Sequence, residues 1–479
     1  MIYRTGEQTG ISFRVIAVVF LLLISFGCGS SGGGTGESSA VSFSQAKNIS
    51  NSSGNSEHPV IAADPDGNVY AAWEETLPNA YSEIYFVRSG NFSNNFTSVK
   101  NLTTATSPIC NEAGKVSWNA SISAGSDGKA YLAWLDGGTE NVSEARVKFF
   151  EEKNTLCRYL SPAGQSPMSP GIKIDNQKDV HVIWSGEREP DKVRDIFYRV
   201  SLNKGLSFTP SETQTSLNIS NTNADSSEPL LGIEGSFYVD AFWVEGGSGA
   251  REVTFSRSAN GGISFMTDPI TVSEKGADSF CPALGQYWDS VNNISQSYAA
   301  FKVENNGESH IYFSKWISFL LIFTPPKVIS DAGSAALSPS CPQMAISPSG
   351  AIYVAWSEGG KIWVAVSTDA GNYFYPPVSI ASSTGEVSSL KIVKSASNIG
   401  IVWVETTGGS SHLNFSGTTD NGLNYLVPMS LAKLSASGTS GVVTDPVMIS
   451  DGKDRIYIIW DDGPEEQREI YLVSGKWNL

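Results

Sequence analysis

Histidine, cysteine and positive charge are all scarce in this chain, and each shortage removes a class of function. Four histidines in 479 residues are too few for a histidine-built metal centre, and no His-Glu-x-x-His is written. Five cysteines without a Cys-x-x-Cys spacing argue against a thiol redox pair or a zinc ribbon. The 32 Lys and Arg are outnumbered by 48 Asp and Glu, for a net charge of −16, so no basic face exists to neutralise nucleic-acid phosphates. A phosphate-cradling glycine loop is missing too. Unbroken apolar sequence is confined to residues 15–26, and no stretch holds a helical period.

What is abundant is one strand, written eight times. A short apolar run ending in an aromatic, followed closely by a carboxylate, appears as Val69-Tyr-Ala-Ala-Trp73 with Glu75, Ala130-Tyr-Leu-Ala-Trp134 with Asp136, Val180-His-Val-Ile-Trp184 with Glu187, and Tyr238-Val-Asp-Ala-Phe-Trp243 with Glu245. It continues as Tyr298-Ala-Ala-Phe301 with Glu304, Ile352-Tyr-Val-Ala-Trp356 with Glu358, Ile399-Gly-Ile-Val-Trp403 with Glu405, and Ile456-Tyr-Ile-Ile-Trp460 with Asp462. A period of about 50 residues points to a propeller or an array. Around each copy lie an apolar first strand, often opened by X-Pro (His58-Pro59, Ser169-Pro170, Glu228-Pro229, Cys341-Pro342, Asp445-Pro446), then a tight turn, and two further short strands after the Trp strand. Four such strands with hairpin turns describe an antiparallel blade. The fold expected is all-β: an eight-bladed propeller over residues 41–479, or seven blades if the fifth unit, which lacks the Trp, is not one. The last unit has no room for a fourth strand, while Phe43-Ser-Gln-Ala-Lys-Asn-Ile-Ser50 has no other place. Pairing that strand into the last blade would close the ring and remove its sheet edges.

The N-terminus carries Arg4 and Arg14, then the apolar run, then Gly27-Cys28 and a Gly/Ser-rich stretch. This resembles a bacterial lipoprotein signal, although Ser25 and Phe26 stand where that pattern usually has Leu and a small residue. The resemblance implies residues 1–28 as an export signal with Cys28 lipidated, residues 29–40 as a tether, and a cell-envelope location, outer membrane or periplasm. Export would let disulfides persist. The remaining Cys110, Cys157, Cys281 and Cys341 allow three pairings; Cys281 with Cys341 and Cys110 with Cys157 are favoured, because the first two precede Pro at equivalent points of adjacent units and the others flank the second unit.

Between third and fourth strands, Ser201-Leu-Asn-Lys-Gly-Leu-Ser-Phe208, Ser258-Ala-Asn-Gly-Gly-Ile-Ser-Phe265, Ser367-Thr-Asp-Ala-Gly-Asn-Tyr-Phe374 and Thr418-Thr-Asp-Asn-Gly-Leu-Asn-Tyr425 resemble the Asp box, the bacterial neuraminidase repeat of sialidase-like propellers. The box is a turn: hydroxyl and Asp or Asn satisfy its backbone, Gly permits the reversal, and the aromatic is expected to pin the hairpin to its blade. In the fifth unit it is replaced by Trp316-Ile-Ser-Phe-Leu-Leu-Ile-Phe323, read as inter-blade packing in preference to an exposed contact patch.

The same resemblance raises a hydrolase. Sialidases use three arginines for the substrate carboxylate, the first in Arg-Ile-Pro, on six blades; here that motif is missing and no catalytic residue is carried over. The candidate ligand-binding face is the one to which the Trp strands run: His58, Glu75, Asp136, Glu187, Glu228, Glu245, Glu358, Glu405, Asp445 and Asp462, with Arg194, Arg251 and Arg468 opening three of the third strands. Of these, His58, Glu228 and Asp445 are expected to crowd the central mouth. The competing structural reading lets each carboxylate cap its own loop, or pairs the arginines with their neighbours as Arg194–Asp195, Arg251–Glu252 and Arg468–Glu469. Asp64-Pro-Asp-Gly-Asn68 is only a partial calcium loop. No cofactor or metal is expected, and calcium is unsupported. The reading is thus a monomeric, exported propeller that binds a glycan or protein ligand without catalysis and meets the membrane only through its lipid; the alternative is a sialidase-like glycoside hydrolase.

Overall fold

The computed structural model describes residues 40–478, apart from 79–80, 91, 104–114, 138–145, 154–155, 236, 290–293, 331–336 and 432–441. Cys28, Cys110 and most of the tether therefore lie outside the described residues. Among those residues every regular element is a strand. The strands form eight antiparallel sheets with four positions each; in blades 5 and 8 the outermost position is divided between two short strands. The innermost strands are Asn55–Ala63, Val116–Gly125, Met168–Ile174, Ser226–Glu234, Asp278–Asp289, Gln343–Ile346, Glu386–Ser395 and Thr444–Ser450. Each touches the next around the ring, and the last touches the first. These eight strands wall a central channel.

The signature strand is second in every blade and reads as an unbroken apolar run because a blade is covered on both sides. Ile456 to Trp460 are all fully buried. Eight apolar clusters fill the eight joints between consecutive blades. In each joint the signature aromatic of one blade faces the blade before it: Trp134 packs with Tyr70 and Phe86 of blade 1, and Trp73 packs with Tyr457 and Ile459 of blade 8. In blade 5 Phe301 takes the Trp position and is fully buried, so the fifth unit is a blade and the count is eight. The ring closes as expected, with Val41–Phe43 and Lys47–Asn48 pairing the last strand, Glu469–Trp477.

The Asp-box turns hold themselves by the expected hydrogen bonds. The Gly371 N–H donates to Ser367 Oγ at 3.0 Å and the Tyr373 N–H to Asp369 Oδ1 at 2.9 Å, and the other three boxes repeat this. Their aromatic does something else than expected. Phe208 stacks edge-on against Phe149, Phe265 against Tyr198 and Phe374 against Phe313, at 4.7–4.9 Å between ring centres. Each pair joins one blade to the blade before it, so the box pins the turn to its neighbour. The turn sits at the rim of a joint where only another blade can cover an aromatic ring. The fifth unit keeps that contact through Phe323 on Phe255 and adds Trp316, buried against the same ring. Of the six residues between, the four from Phe319 to Ile322 are exposed; the segment divides between packing and surface.

Candidate functional site

Seven of the eight inner strands carry the same irregularity near the face where the Trp strands end. One non-glycine residue adopts a left-handed backbone: His58 (φ 51°), Asn119 (54°), Ser169 (50°), Glu228 (52°), Cys281 (54°), Ser389 (51°) and Asp445 (45°). At each the pairing register shifts, so that two inner-strand residues stand opposite one residue of the second strand. That one residue is always the signature aromatic: His58 and Pro59 oppose Trp73, and Cys281 and Pro282 oppose Phe301. These are β-bulges, which re-aim a side chain and tolerate Pro because the ladder is already interrupted. A left-handed non-glycine residue costs on the order of 1–3 kcal/mol, and the paired strand on either side holds it there. Blade 6 has no left-handed residue at this place; its Cys341 is bonded to Cys281 of blade 5, with Cα atoms 5.4 Å apart. Cys157 is also disulfide-bonded, to a partner outside the described residues.

The bulges of blades 1, 2, 7 and 8 border a cavity of about 470 Å³ whose wall includes His58, Trp118, Asn119, Ser389, Lys391 and Asp445. Asn119 also borders a second cavity of about 490 Å³, formed by inner strands of blades 2 to 6 and containing Lys173. His58 bridges two carboxylates across the first cavity, Nδ1 lying 3.3 Å from Glu74 and Nε2 3.5 Å from Asp445. Glu74 also accepts the Asn119 backbone N–H at 2.8 Å. The hydrogen bond to Glu74, followed by the charges of Glu74, Asp445 and Glu57, outweighs partial burial and lifts the His58 pKa to about 9; the ring is an imidazolium at neutral pH. Desolvation pushes Lys391 down, against the pull of Asp445, and desolvation among the crowded inner strands also pushes Lys173 down although its side chain is still exposed to the channel. Among the described residues neither lysine has an ion-pair partner, so their donors point into the channel unclaimed. The wall thus offers cationic donors, neutral amide and hydroxyl groups, two acceptors and an indole.

The carboxylates that follow the signature Trp turn inward. Residues two apart on a strand share a face, so the indole N–H reaches the carboxylate two residues on: Trp73 donates to Glu75 at 2.9 Å, Trp243 to Glu245 at 2.8 Å and Trp356 to Glu358 at 3.1 Å. Glu75 and Glu245 also accept hydrogen bonds from Ser56 and Ser226 of their inner strands. Asp136 is buried beside Ser117 and Tyr159, and Asp462 is buried with its pKa raised, first by desolvation and then by Asp461. Glu405 accepts from Asn414, and Glu187 lies 3.8 Å from Arg194. These groups serve their own blades. Glu228 occupies its bulge in blade 4 but lines neither cavity, so the structure joins His58 with Asp445 and leaves Glu228 apart.

The arginine pairs expected between sequence neighbours do not form, because successive residues of a strand point to opposite faces. Arg251 instead grips Asp278 of the next blade through Nε and Nη2 at 2.8 and 2.6 Å, which holds the Asp278 carboxyl down at about 2. Arg468 reaches Asp461 and Thr444, and Arg194 donates to the Ser166 carbonyl. The three guanidinium groups thus belong to three different blades, each with its own partner.

Asn119, Ser389, Lys391, Lys173 and Glu74 were not singled out from the sequence. Asn119 and Ser389 lack the following Pro that marks the other bulges; Asn119 stands at the same offset from Trp134 as His58 from Trp73, which would have found it, whereas Ser389 stands one residue nearer to Trp403 and breaks that spacing. Glu74 is the residue directly after Trp73.

No protein-family model and no curated protein matches the chain. Among solved structures it is similar to a protein of unknown function from Dyadobacter fermentans DSM 18053, at 10% identity and a TM-score of 0.43 over 92% of this chain and 100% of that one. It is also similar to the polysaccharide lyase Uly1, at 10% identity and a TM-score of 0.48 over 81% and 94%. A third likeness is to Hadza microbial sialidase Hz136, at 8% identity and a TM-score of 0.41 over 73% and 63%. The propeller assignment rests on the strand pairings above, and no site residue is carried over from these proteins.

Proposed function

We propose that this protein is an exported, lipid-anchored propeller of the bacterial cell envelope that binds a hydroxyl-rich glycan, without transforming it, at the mouth of its central channel. Residues 1–28 serve as the signal, Cys28 as the lipidated residue and 29–40 as the tether. The observation that carries the reading is the first cavity, where the His58 imidazolium, Asn119, Ser389 and Lys391 offer donors, Glu74 and Asp445 offer acceptors, and Trp118 supplies a flat apolar wall. Pockets that combine one apolar wall with a few convergent polar groups are the usual form of small-ligand sites, and sugar rings present the matching surface, apolar on the C–H face and hydroxylated at the edge. A sialidase-like hydrolase would need arginines converging on one carboxylate; Arg194, Arg251 and Arg468 are each occupied by a separate partner in a different blade, which weighs against that reading.

The test is a glycan array and a fluorogenic sialoside applied to the same preparation. Binding to glycans without turnover is expected, weakened about tenfold or more by His58→Ala or Trp118→Ala. Turnover lost in Asp445→Asn or Glu74→Gln would overturn the non-catalytic reading.

A further inference from the structure

The two faces of the ring differ in what they expose. Turns joining first to second and third to fourth strands all lie on the Asp-box face, opposite the face bordered by the bulges. Among the described residues, every large hydrophobic more than 60% exposed is on one of these turns: Phe237 at 64% in blade 4, Phe319 at 86% in blade 5, and Leu423 at 83% and Val427 at 85% in blade 7. Leu206 and Ile263 occupy matching turns in blades 3 and 4, each about half exposed. These side chains stand on rigid hairpins whose buried aromatics are clamped to the neighbouring blade. They do not cover the core.

The chain enters the propeller on that same face. Val41–Phe43 runs antiparallel to the end of the last strand, with Val41 opposite Trp477 and the Asn478 N–H bonded to the Ala40 carbonyl. Ala40 is therefore at the end of the blade where the third-to-fourth turn would be. Phe43 packs edge-on against Phe415 of blade 7 at 4.9 Å, and Phe415 lies on the strand leading to the turn that bears Leu423. The described chain thus begins beside the turn that bears Leu423 and Val427. From Cys28 to Ala40 is 12 residues, a reach of about 40 Å at full extension.

From these three facts we infer that the Asp-box face docks on the lipid bilayer, its aliphatic and aromatic turn tips entering the interface while the channel mouth faces away toward its ligand. This rests on the lipid-anchor reading above. The anchor brings the N-terminal end of the propeller to the bilayer, and apolar side chains on the face where the chain enters add buried area to that attachment. Because the chain's net charge is −16, the attraction is apolar, and it needs neither anionic lipid nor low salt.

The test uses the full acylated chain on phosphatidylcholine vesicles containing brominated lipid, with an environment-sensitive dye at Leu423→Cys or, on the opposite face, at exposed Glu466→Cys. The dye at position 423 is expected to shift to the blue and be quenched, and the dye at 466 to be unaffected. In parallel, a chain beginning at residue 29, without the apolar signal run and without Cys28, should co-float with the same vesicles at moderate salt, and its exposed-site variant Phe319→Glu/Leu423→Glu/Val427→Glu should bind at least about tenfold less. Equal or reversed quenching, or flotation unchanged by the three glutamates, overturns the docking inference. Mass spectrometry showing Cys28 unacylated overturns the anchor reading separately, since flotation of the chain that begins at residue 29 does not depend on it.

Discussion

His58 concentrates the chemistry of the channel mouth in one ring. It is held left-handed opposite Trp73, its two nitrogens face carboxylates from two blades, and its side chain is still 58% exposed. Its pKa in the folded protein stands near 9 against 6.5 for the free side chain. A group whose pKa is raised by folding stabilises the fold fully below its unfolded pKa and loses that contribution as pH rises through the folded value. The His58 contribution to stability should therefore be level below about pH 6.5 and fall between there and about 9. An NMR titration of the His58 ring is expected to give a midpoint well above 6.5, moving down in Glu74→Gln, with the stability slope across that window flattened in His58→Gln. A midpoint at or below 6.5 would remove the bridge. The candidate carboxylates show the limit of reading residues singly. Trp73 and Glu75 were visible as a spacing, but that the indole hydrogen-bonds the carboxylate follows only from both lying on one face of a buried strand.

The blade was the most legible element. Its four strands, their order and the Asp-box turn could all be written from spacing, because a hairpin's chemistry is local: the Ser, Asp and Gly of the box satisfy one another within eight residues. What the box does for its neighbour is not local. Gly371 has φ 77°, and a Cβ there would lie 2.6 Å from the Phe313 ring of the preceding blade. The glycine is thus required twice, for backbone reversal and for closeness to that ring. Gly371→Ala should destabilise the protein by about 2 kcal/mol or more, read from the denaturation midpoint, whereas Gly408→Ala, also at positive φ but in open space, should cost about 1 kcal/mol. Equal costs at the two sites would show that inter-blade contact is unimportant. The bulges were half legible, since X-Pro marks five of seven and a bulge without Pro leaves no trace in composition.

For the whole ring, closure by the N-terminal strand matters most. Val41 is buried on blade 7 and its strand covers the edge of Glu469–Trp477. Burying a Val or Phe side chain contributes roughly 1.5–3 kcal/mol, so deleting residues 41–48 should lower stability by several kcal/mol and leave an open sheet edge. Calorimetry is expected to show a markedly lower melting transition, recovered in part by a synthetic peptide of residues 40–50. An unchanged transition would mean that the ring does not depend on this strand. The sequence by itself determined the all-β class, the four-stranded blade, the Trp-lined joints and the closing strand, because a repeat that cannot bury its own faces must stack on copies of itself; the choice of eight blades over seven came from the structure, where Phe301 fills the Trp position of the fifth. Only the tertiary structure decided which residues share the channel mouth. His58, Asn119, Lys391 and Asp445 come from four blades, and they meet because ring closure brings the first blade beside the last, a distance in sequence that no local spacing records.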